Sequence, residues 1–177
     1  MLDLIIRNGK CYIDGELKEV DVAIKDKKIQ QIGQISEEAK ETIDASGHTV
    51  LPGCIDTQTH FREPGSTDTE DLHTGSRAAI AGGITSVFEM PNTNPPTSNK
   101  KEFQRKLDLA KNRMYCNYAF YFGATADNAD DLASLKDLEG CCGIKLFAGS
   151  STGNLLVAEE DDIDKVFQNA SKVVAVH

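Results

Sequence analysis

The stretch LPGCIDTQTHFREPG, residues 51–65, decides the fold class. It begins as an apolar strand and ends in a polar cluster that holds His60, Arg62 and Glu63, followed by a Pro-Gly break. Four more apolar segments follow it, at the spacing of roughly 30 residues that one βα unit occupies. Because these segments are apolar almost throughout, we expect a parallel sheet buried on both faces. They are ITSVFEM (84–90), NYAFYFGA (117–124), GIKLFAG (143–149) and KVVAVH (172–177).

The segments between these strands predict helices, so the chain is of the α/β class. Two architectures fit the alternation, an open doubly wound sheet and a βα barrel, and both bring the carboxyl ends of the strands to one functional surface. No GxGxxG turn follows the first strand, which removes the usual sign of a dinucleotide site. The helices are expected at 69–81, 100–113, 128–138 and 160–171.

Residues 1–50 follow a different pattern, of short strands separated by polar turns. Asn8-Gly9 and Asp14-Gly15 are pairs typical of two-residue hairpin turns. We therefore expect a small β unit at 1–50 and a separate α/β unit at 51–177.

The composition argues against several classes of protein. The 19 Lys and Arg residues and 28 Asp and Glu residues give a net charge of −9, and no nucleic-acid partner is expected because phosphate contacts need clustered basic residues. No apolar run approaches the ~20 residues that cross a bilayer, so no membrane partner is expected either. The five cysteines are odd in number and form no CxxC pair. With no signal peptide in the N-terminal residues, a cytoplasmic location fits best.

Three residues of the expected sheet could hold a metal ion. His60 and His177 each end a strand, and Lys145 lies inside the apolar strand GIKLF, where an unpaired ammonium group costs several kcal/mol. The topology brings all three to the same end of the sheet. Two imidazoles and a lysine converted to a carbamate would hold a divalent cation such as zinc. The simpler alternatives are a hydrogen-bonded surface histidine at position 60 and a Lys145 amine that reaches a carboxylate.

Arg62 and Asn92 form a second candidate pair, suited to a carboxylate of the substrate. A planar guanidinium and a carboxamide together offer it several hydrogen bonds. Glu63 is more simply the partner of a structural ion pair than a general base. The segment GSSTGN (149–154) offers backbone N–H groups to an anion but lacks the GK[ST] ending of a nucleotide-binding loop. Three prolines hold the loop around Asn92 in one shape: Pro91, Pro95 and Pro96.

Four stretches, LPGCIDTQTHFREPG, AAIAGGITSVFEMPNTNPPT, GIKLFAGSSTGN and VVAVH, occur in an order and spacing that resemble the cyclic amidohydrolases. Within that family the HFREPG and MPNTxPP motifs resemble the dihydroorotase branch most closely. The resemblance covers the whole chain. It implies a partial TIM-type (β/α) barrel of about five βα strands at 51–177, preceded by a small β-sandwich part at 1–50.

The resemblance also implies roles for individual residues. His60 matches the second histidine of the family's HxH metal motif, Lys145 the lysine that becomes carboxylated, and His177 the metal histidine of strand five. Arg62 and Asn92 match the pair that binds the substrate's carboxylate. The implied activity is the reversible conversion between dihydroorotate and N-carbamoyl-L-aspartate in pyrimidine biosynthesis. Hydroxide activated by one or two zinc ions would attack the ring amide.

Two departures from the family pattern bear on this chemistry. Gln58 stands where the first histidine of HxH is expected, and a carboxamide is a poorer zinc ligand than an imidazole. The chain also ends with its fifth barrel strand, so the family's catalytic aspartate is expected beyond residue 177. No catalytic residue is therefore assigned within residues 1–177, and we expect this segment alone to be inactive.

Two other functions are compatible with these residues. A hydantoinase or allantoinase is the alternative within the same class, although Arg62 and Asn92 argue against it because those substrates lack the matching carboxylate. A non-catalytic, dihydroorotase-like scaffold subunit is the alternative of another class, and Gln58 supports it. The expected partners are the small-molecule substrate, a second copy of the chain in a homodimer and, for a scaffold, aspartate transcarbamoylase.

Overall fold

A computed structural model of the chain describes residues 1–151 and 154–177. These residues form two units, Met1–Pro52 and Gly53–His177. Thr152 and Gly153 lie outside the described residues, and the anion site expected in the GSSTGN segment falls partly on them.

The first unit consists of short strands in two small sheets. Its four-stranded sheet has the order β5-β4-β1-β6, and its three-stranded sheet has the order β3-β2-β7. The strands are β1 (Leu2–Arg7), β2 (Lys10–Ile13), β3 (Glu16–Glu19), β4 (Asp21–Lys25), β5 (Lys28–Gly33), β6 (Ala39–Asp44) and β7 (Thr49–Val50).

The two predicted hairpin turns of this unit differ in outcome. Asp14 and Gly15 have φ angles of 53° and 84° and join β2 to β3 as an antiparallel hairpin, as expected. The hairpin predicted at Asn8-Gly9 is wrong, because β1 and β2 belong to different sheets. Gly9 serves a close approach instead, since a Cβ atom there would lie 2.7 Å from Val50 Cγ2.

The second unit contains one parallel sheet of five strands. The strand order, β12-β11-β10-β9-β8, is the order of the chain, and every neighbouring pair is parallel. A sheet that never reverses its order is typical of a βα barrel and not of a doubly wound sheet. The elements are β8 (Cys54–Thr59), α1 (Leu72–Ala81), β9 (Ile84–Glu89), α2 (Lys100–Ala110), β10 (Asn117–Gly123), a 3₁₀ helix (Ala126–Leu135), β11 (Cys141–Leu146), α3 (Glu160–Asn169) and β12 (Val174–Val176).

The predicted α/β alternation of this unit is confirmed, with differences in detail. The α-helix expected at 128–138 is a 3₁₀ helix at Ala126–Leu135. The burial expected on both faces of every strand fails at β8, most of whose residues are exposed, and at β12, none of whose residues is fully buried. The reason is that β8 and β12 are the two edges of the described sheet.

The core of the second unit lies between the sheet and its helices. Phe103 of α2 is fully buried, and its ring contacts those of Phe120 and Phe122 on β10, with centroids 6.4 and 6.2 Å away. Burial of such large apolar side chains is the main source of stability for a βα layer. Within the described residues, no helix is long and apolar enough to cross a membrane.

Candidate metal and substrate site

The carboxyl ends of the five parallel strands lie at the same end of the second unit's sheet. His60 follows β8 directly, and Asn92 lies in the loop after β9. The imidazole Nδ1 of His60 lies 2.9 Å from Oδ1 of Asn92. Because an amide oxygen only accepts hydrogen bonds, Nδ1 carries the proton in this contact, and in the neutral imidazole Nε2 then keeps its lone pair free.

The surroundings of His60 favour that neutral form. Partial burial lowers the pKa of His60, and the nearby charges of Arg62, Lys145 and Lys106 lower it further, while the hydrogen bond to Asn92 acts in the opposite direction. A neutral imidazole is the form that binds metal ions.

Arg62 and Asn92 line one open pocket, of about 460 Å³, between the loops that follow β8 and β9. Arg62 has a φ angle of 57°, which is uncommon for a residue with a side chain. Its guanidinium group is exposed. We refer to this cavity as the loop pocket, and it is lined by Arg62, Pro64, Ser66, Asn92, Thr93, Asn94 and Pro96.

The two loops are held against each other at one point. The backbone N–H of Asn94 donates to the carbonyl oxygen of Pro64, 3.0 Å away. Gly65 has a φ angle of +121°, and a Cβ atom there would lie 2.9 Å from that of Asn94. Only glycine permits this approach.

Glu63 is buried beneath the loop pocket and forms an ion pair. Its Oε1 and Oε2 accept hydrogen bonds from Nη1 and Nη2 of Arg113 at 2.8 and 3.2 Å. Oε2 also accepts from the backbone N–H of Leu72, the first residue of α1, at 2.9 Å. The expectation of a structural ion pair is confirmed.

Lys145 lies near the carboxyl end of β11, and His177 directly follows β12. Both side chains lie near the ring of Phe147. The Lys145 side chain is only 2% exposed, and its amine lies over the ring of Phe147, 5.0 Å from the centroid. The centroid of the His177 imidazole lies 6.0 Å from the same ring. Burial lowers the pKa of Lys145. In residues 1–151 and 154–177 no carboxylate forms an ion pair with it, so the structure does not support the alternative of a lysine that reaches a carboxylate.

These residues fit a divalent metal ion by the chemistry of their donors. A buried lysine with a lowered pKa is the form of amine that can become a carbamate, and His60 keeps Nε2 free. Considering only His, Cys, Asp and Glu, the described part of the chain has no group of three placed to hold a metal ion. A ligand set built from His60, Lys145 and His177 would depend on carboxylation of the lysine.

Gln58 lies two residues before His60, in the part of β8 where the pairing with β9 is irregular. It is exposed, and its backbone N–H donates to Oδ1 of Asp56 at 3.0 Å. The position of the missing imidazole is thus occupied by a carboxamide side chain with room around it.

One buried pair next to this site was missed in the sequence. Glu89 ends β9 and forms an ion pair with Lys106 of α2, and both side chains are at most 1% exposed. The sequence did contain a sign of Glu89. An acidic residue in the apolar segment ITSVFEM, like the lysine in GIKLF, is expected to be buried and to need a partner. Lys106 could have been noticed from its helical spacing with the buried Phe103 and Ala110.

The chain is similar in sequence to known enzymes. Residues 49–175 match the amidohydrolase family. The chain is 42% identical over 149 residues to an allantoinase from Escherichia coli O1:K1 / APEC, a match that covers 84% of this chain and 33% of that enzyme.

Solved structures give a similar result. The chain resembles the L-hydantoinase (dihydropyrimidinase) from Arthrobacter aurescens with a TM-score of 0.90 and 30% identity, over 100% of this chain and 41% of that one. It resembles the D-hydantoinase (dihydropyrimidinase) from Thermus sp. with a TM-score of 0.81 and 25% identity, over 98% and 40%. The chain therefore spans well under half the length of these relatives. Their names correspond to the hydantoinase or allantoinase alternative and not to dihydroorotase.

Proposed function

Because this chain belongs to the amidohydrolase family, we propose that the whole protein hydrolyses the amide bond of a small cyclic amide. The reaction would take place at the strand ends that carry His60, Lys145 and His177. These three residues would hold zinc, as one or two ions, with Lys145 as a carbamate. A bound divalent cation supplies a Lewis acid that polarises the ring carbonyl and makes water more acidic.

Within this class, the loop pocket favours a ring that carries a carboxylate. Asn92 uses its carbonyl oxygen to accept from His60, so its amide nitrogen remains as a donor. Arg62 supplies a permanently charged guanidinium in the same pocket. The loop pocket thus offers two sets of hydrogen-bond donors, and no carboxylate lines it. This arrangement suits an anion. The observation that Arg62 and Asn92 share one pocket supports dihydroorotate, with N-carbamoyl-L-aspartate as the product of ring opening.

A neutral ring such as allantoin or hydantoin is the second candidate substrate. The 42% identity to an allantoinase and the TM-score of 0.90 to a hydantoinase favour it. These rings have no carboxylate for Arg62 to bind, so the two candidates predict different effects of removing that side chain.

The test compares dihydroorotate, allantoin and hydantoin as substrates of the full-length, zinc-loaded protein. For dihydroorotate, Arg62→Met should raise KM at least tenfold, because a charge-assisted hydrogen bond contributes about 1.5–3 kcal/mol. Arg77→Met is the control, since Arg77 is exposed on α1 and does not line the pocket.

The outcomes separate the candidates. Turnover of allantoin or hydantoin alone, unaffected by Arg62→Met, would reject dihydroorotate and favour the second candidate. A protein that binds no zinc and opens none of the three rings would reject both and favour the non-catalytic scaffold.

A further inference from the structure

The ion pair of Glu89 and Lys106 is buried directly behind the candidate site. Glu89 is the last residue of β9, and Lys106 lies in the middle of α2. Their side chains are 1% and 0% exposed. Burying two charges is costly, and an apolar pair of similar size often stabilises a core as well or better. The stability of the fold is therefore a weak explanation for a charged pair at this position.

The contacts of the pair lead to the two loops of the site. The Lys106 amine donates to the carbonyl oxygen of Met90 at 2.9 Å, and the Met90 N–H in turn donates to the carbonyl oxygen of Thr59 at 2.9 Å. The pair thus bonds the first peptide beyond β9, and that peptide in turn bonds Thr59, the last residue of β8.

These peptides lie next to the residues with proposed roles. Thr59 directly precedes His60, and Met90 begins the loop that carries Asn92. The 2.9 Å contact between His60 and Asn92 joins the same two loops on the site side. That contact requires the ends of β8 and β9 to keep one separation, and the ion pair holds the Met90 peptide that bonds the end of β8.

We propose that Glu89 and Lys106 are positioning residues, which hold the ends of β8 and β9 at the separation that lets His60 bond Asn92 and lets Arg62 and Asn92 share one ligand. The part concerning the ligand rests on the proposed function. The part concerning the His60–Asn92 contact does not. Neither residue touches the substrate in this proposal, so their effect is transmitted through the backbone of the two loops.

The main test variant is Glu89→Met/Lys106→Met in the full-length protein. It removes both charges at similar volume and avoids leaving one buried charge unpaired, so we expect it to fold with a melting temperature close to that of the wild type. Its crystal structure should show the distance from His60 Nδ1 to Asn92 Oδ1 lengthened beyond 3.5 Å. With dihydroorotate as the probe, KM should rise at least tenfold and by more than kcat falls.

Two further variants separate positioning from stability. Lys106→Arg keeps a cation that can reach Glu89 and Met90, so its KM should stay close to that of the wild type. Leu132→Ala creates a cavity in the core, because Leu132 is fully buried on the 3₁₀ helix. It should lower the melting temperature but leave KM and the His60–Asn92 distance unchanged.

The double variant can overturn the proposal in either part. A His60–Asn92 distance that stays near 2.9 Å would overturn the positioning role, whatever the activity. A lengthened distance with an unchanged KM would overturn the effect on the ligand. A KM that rises equally in Leu132→Ala would do the same, since it would assign the change to stability. If the wild-type protein opens no cyclic amide, the proposed function fails, while the crystallographic distance still decides the positioning role.

Discussion

Arg62 and Glu63 are neighbours in the chain but have opposite surroundings. Arg62 is exposed in the loop pocket, while Glu63 is 6% exposed and both of its oxygens accept hydrogen bonds. These bonds engage Glu63 with other elements of the protein, and it does not line the loop pocket. Glu63 therefore supports the loop that presents Arg62, and it does not act on the substrate itself.

Removal of Glu63 should cost stability. We expect Glu63→Ala to lower the free energy of unfolding by about 1–3 kcal/mol, because the Leu72 N–H and the Arg113 guanidinium lose their acceptor. The figure is at the low end for a buried pair because the Arg113 side chain is 37% exposed. Urea denaturation would measure it. Glu16→Ala is the control, since its pair with Lys18 is largely exposed and should contribute at most ~1 kcal/mol. Equal losses in both variants would contradict the prediction.

Gln58 offers a second prediction at the scale of one residue. Gln58→His would place a second imidazole at the HxH spacing from His60, so we expect the full-length protein to bind zinc more tightly or in greater number. Zinc content after dialysis, measured by mass spectrometry, would show the gain. The matched control is Thr57→His, an exposed neighbouring position that lacks the HxH spacing to His60. A gain in both variants, or in neither, would count against a ligand role for position 58.

The residues of the site were predictable from the sequence to different degrees. The burial of Lys145 followed from the apolar residues on either side of it. Its lack of a carboxylate partner among the described residues did not, because that depends on which side chains the fold brings near. The Glu89–Lys106 pair was missed for the same reason, since its two members lie on different elements.

At the scale of elements, regular apolar patterns were more informative than local composition. The five strands of the second unit lie where their apolar runs predicted them. The segment ADNADDLASL forms a 3₁₀ helix, in which Asn128 bonds back to Thr125 and to the carbonyl oxygens of Ser98 and Gly123. Asn and Asp compete with a helical backbone for hydrogen bonds. An apolar stripe predicts that a segment packs on the sheet, but not which helix type it adopts.

The contact between β9 and α2 should make stability depend on pH. Burial raises the pKa of Glu89 from 4.5 to about 7. Between these pH values the folded protein binds more protons than the unfolded chain, so the contribution of Glu89 to the free energy of unfolding is lost as the pH rises from 4.5 to about 7. In Glu89→Met/Lys106→Met that loss should be absent. Urea denaturation between pH 4.5 and 7 would measure the difference.

The control for this pH dependence is the exposed pair of Asp162 and Lys165. Asp162→Asn/Lys165→Met should leave the slope of stability against pH as in the wild type, because an exposed pair is well solvated. If the buried double variant also keeps the wild-type slope, Glu89 does not titrate in the predicted range.

At the scale of the whole molecule, the parallel sheet of the described residues has two edges, β8 and β12. Apolar side chains are exposed on both: Ile55 is 60% exposed and Val176 is 54% exposed. Unpaired backbone groups beside apolar side chains are a template for pairing with another chain.

Residues 1–177 expressed alone should therefore self-associate. Ile55→Lys should shift the population towards monomer, because a charge on an edge strand opposes pairing between sheets. Light scattering coupled to gel filtration would measure the mass. Ile80→Lys is the control, since Ile80 is an exposed apolar residue on the helix α1 and not on a strand. A monomeric wild-type segment, or an equal effect of both substitutions, would contradict this prediction.

The order of the strands in this sheet is also the order in which a ribosome produces them. Each new strand pairs with the strand completed just before it, so the connection to be closed is only the roughly 30 residues of one βα unit. Closing a loop of that length has a modest entropic cost. The sheet can therefore grow during translation, one strand at a time, from β8 towards β12. At every stage the newest strand is an open edge, which is the surface that a nascent chain presents to chaperones.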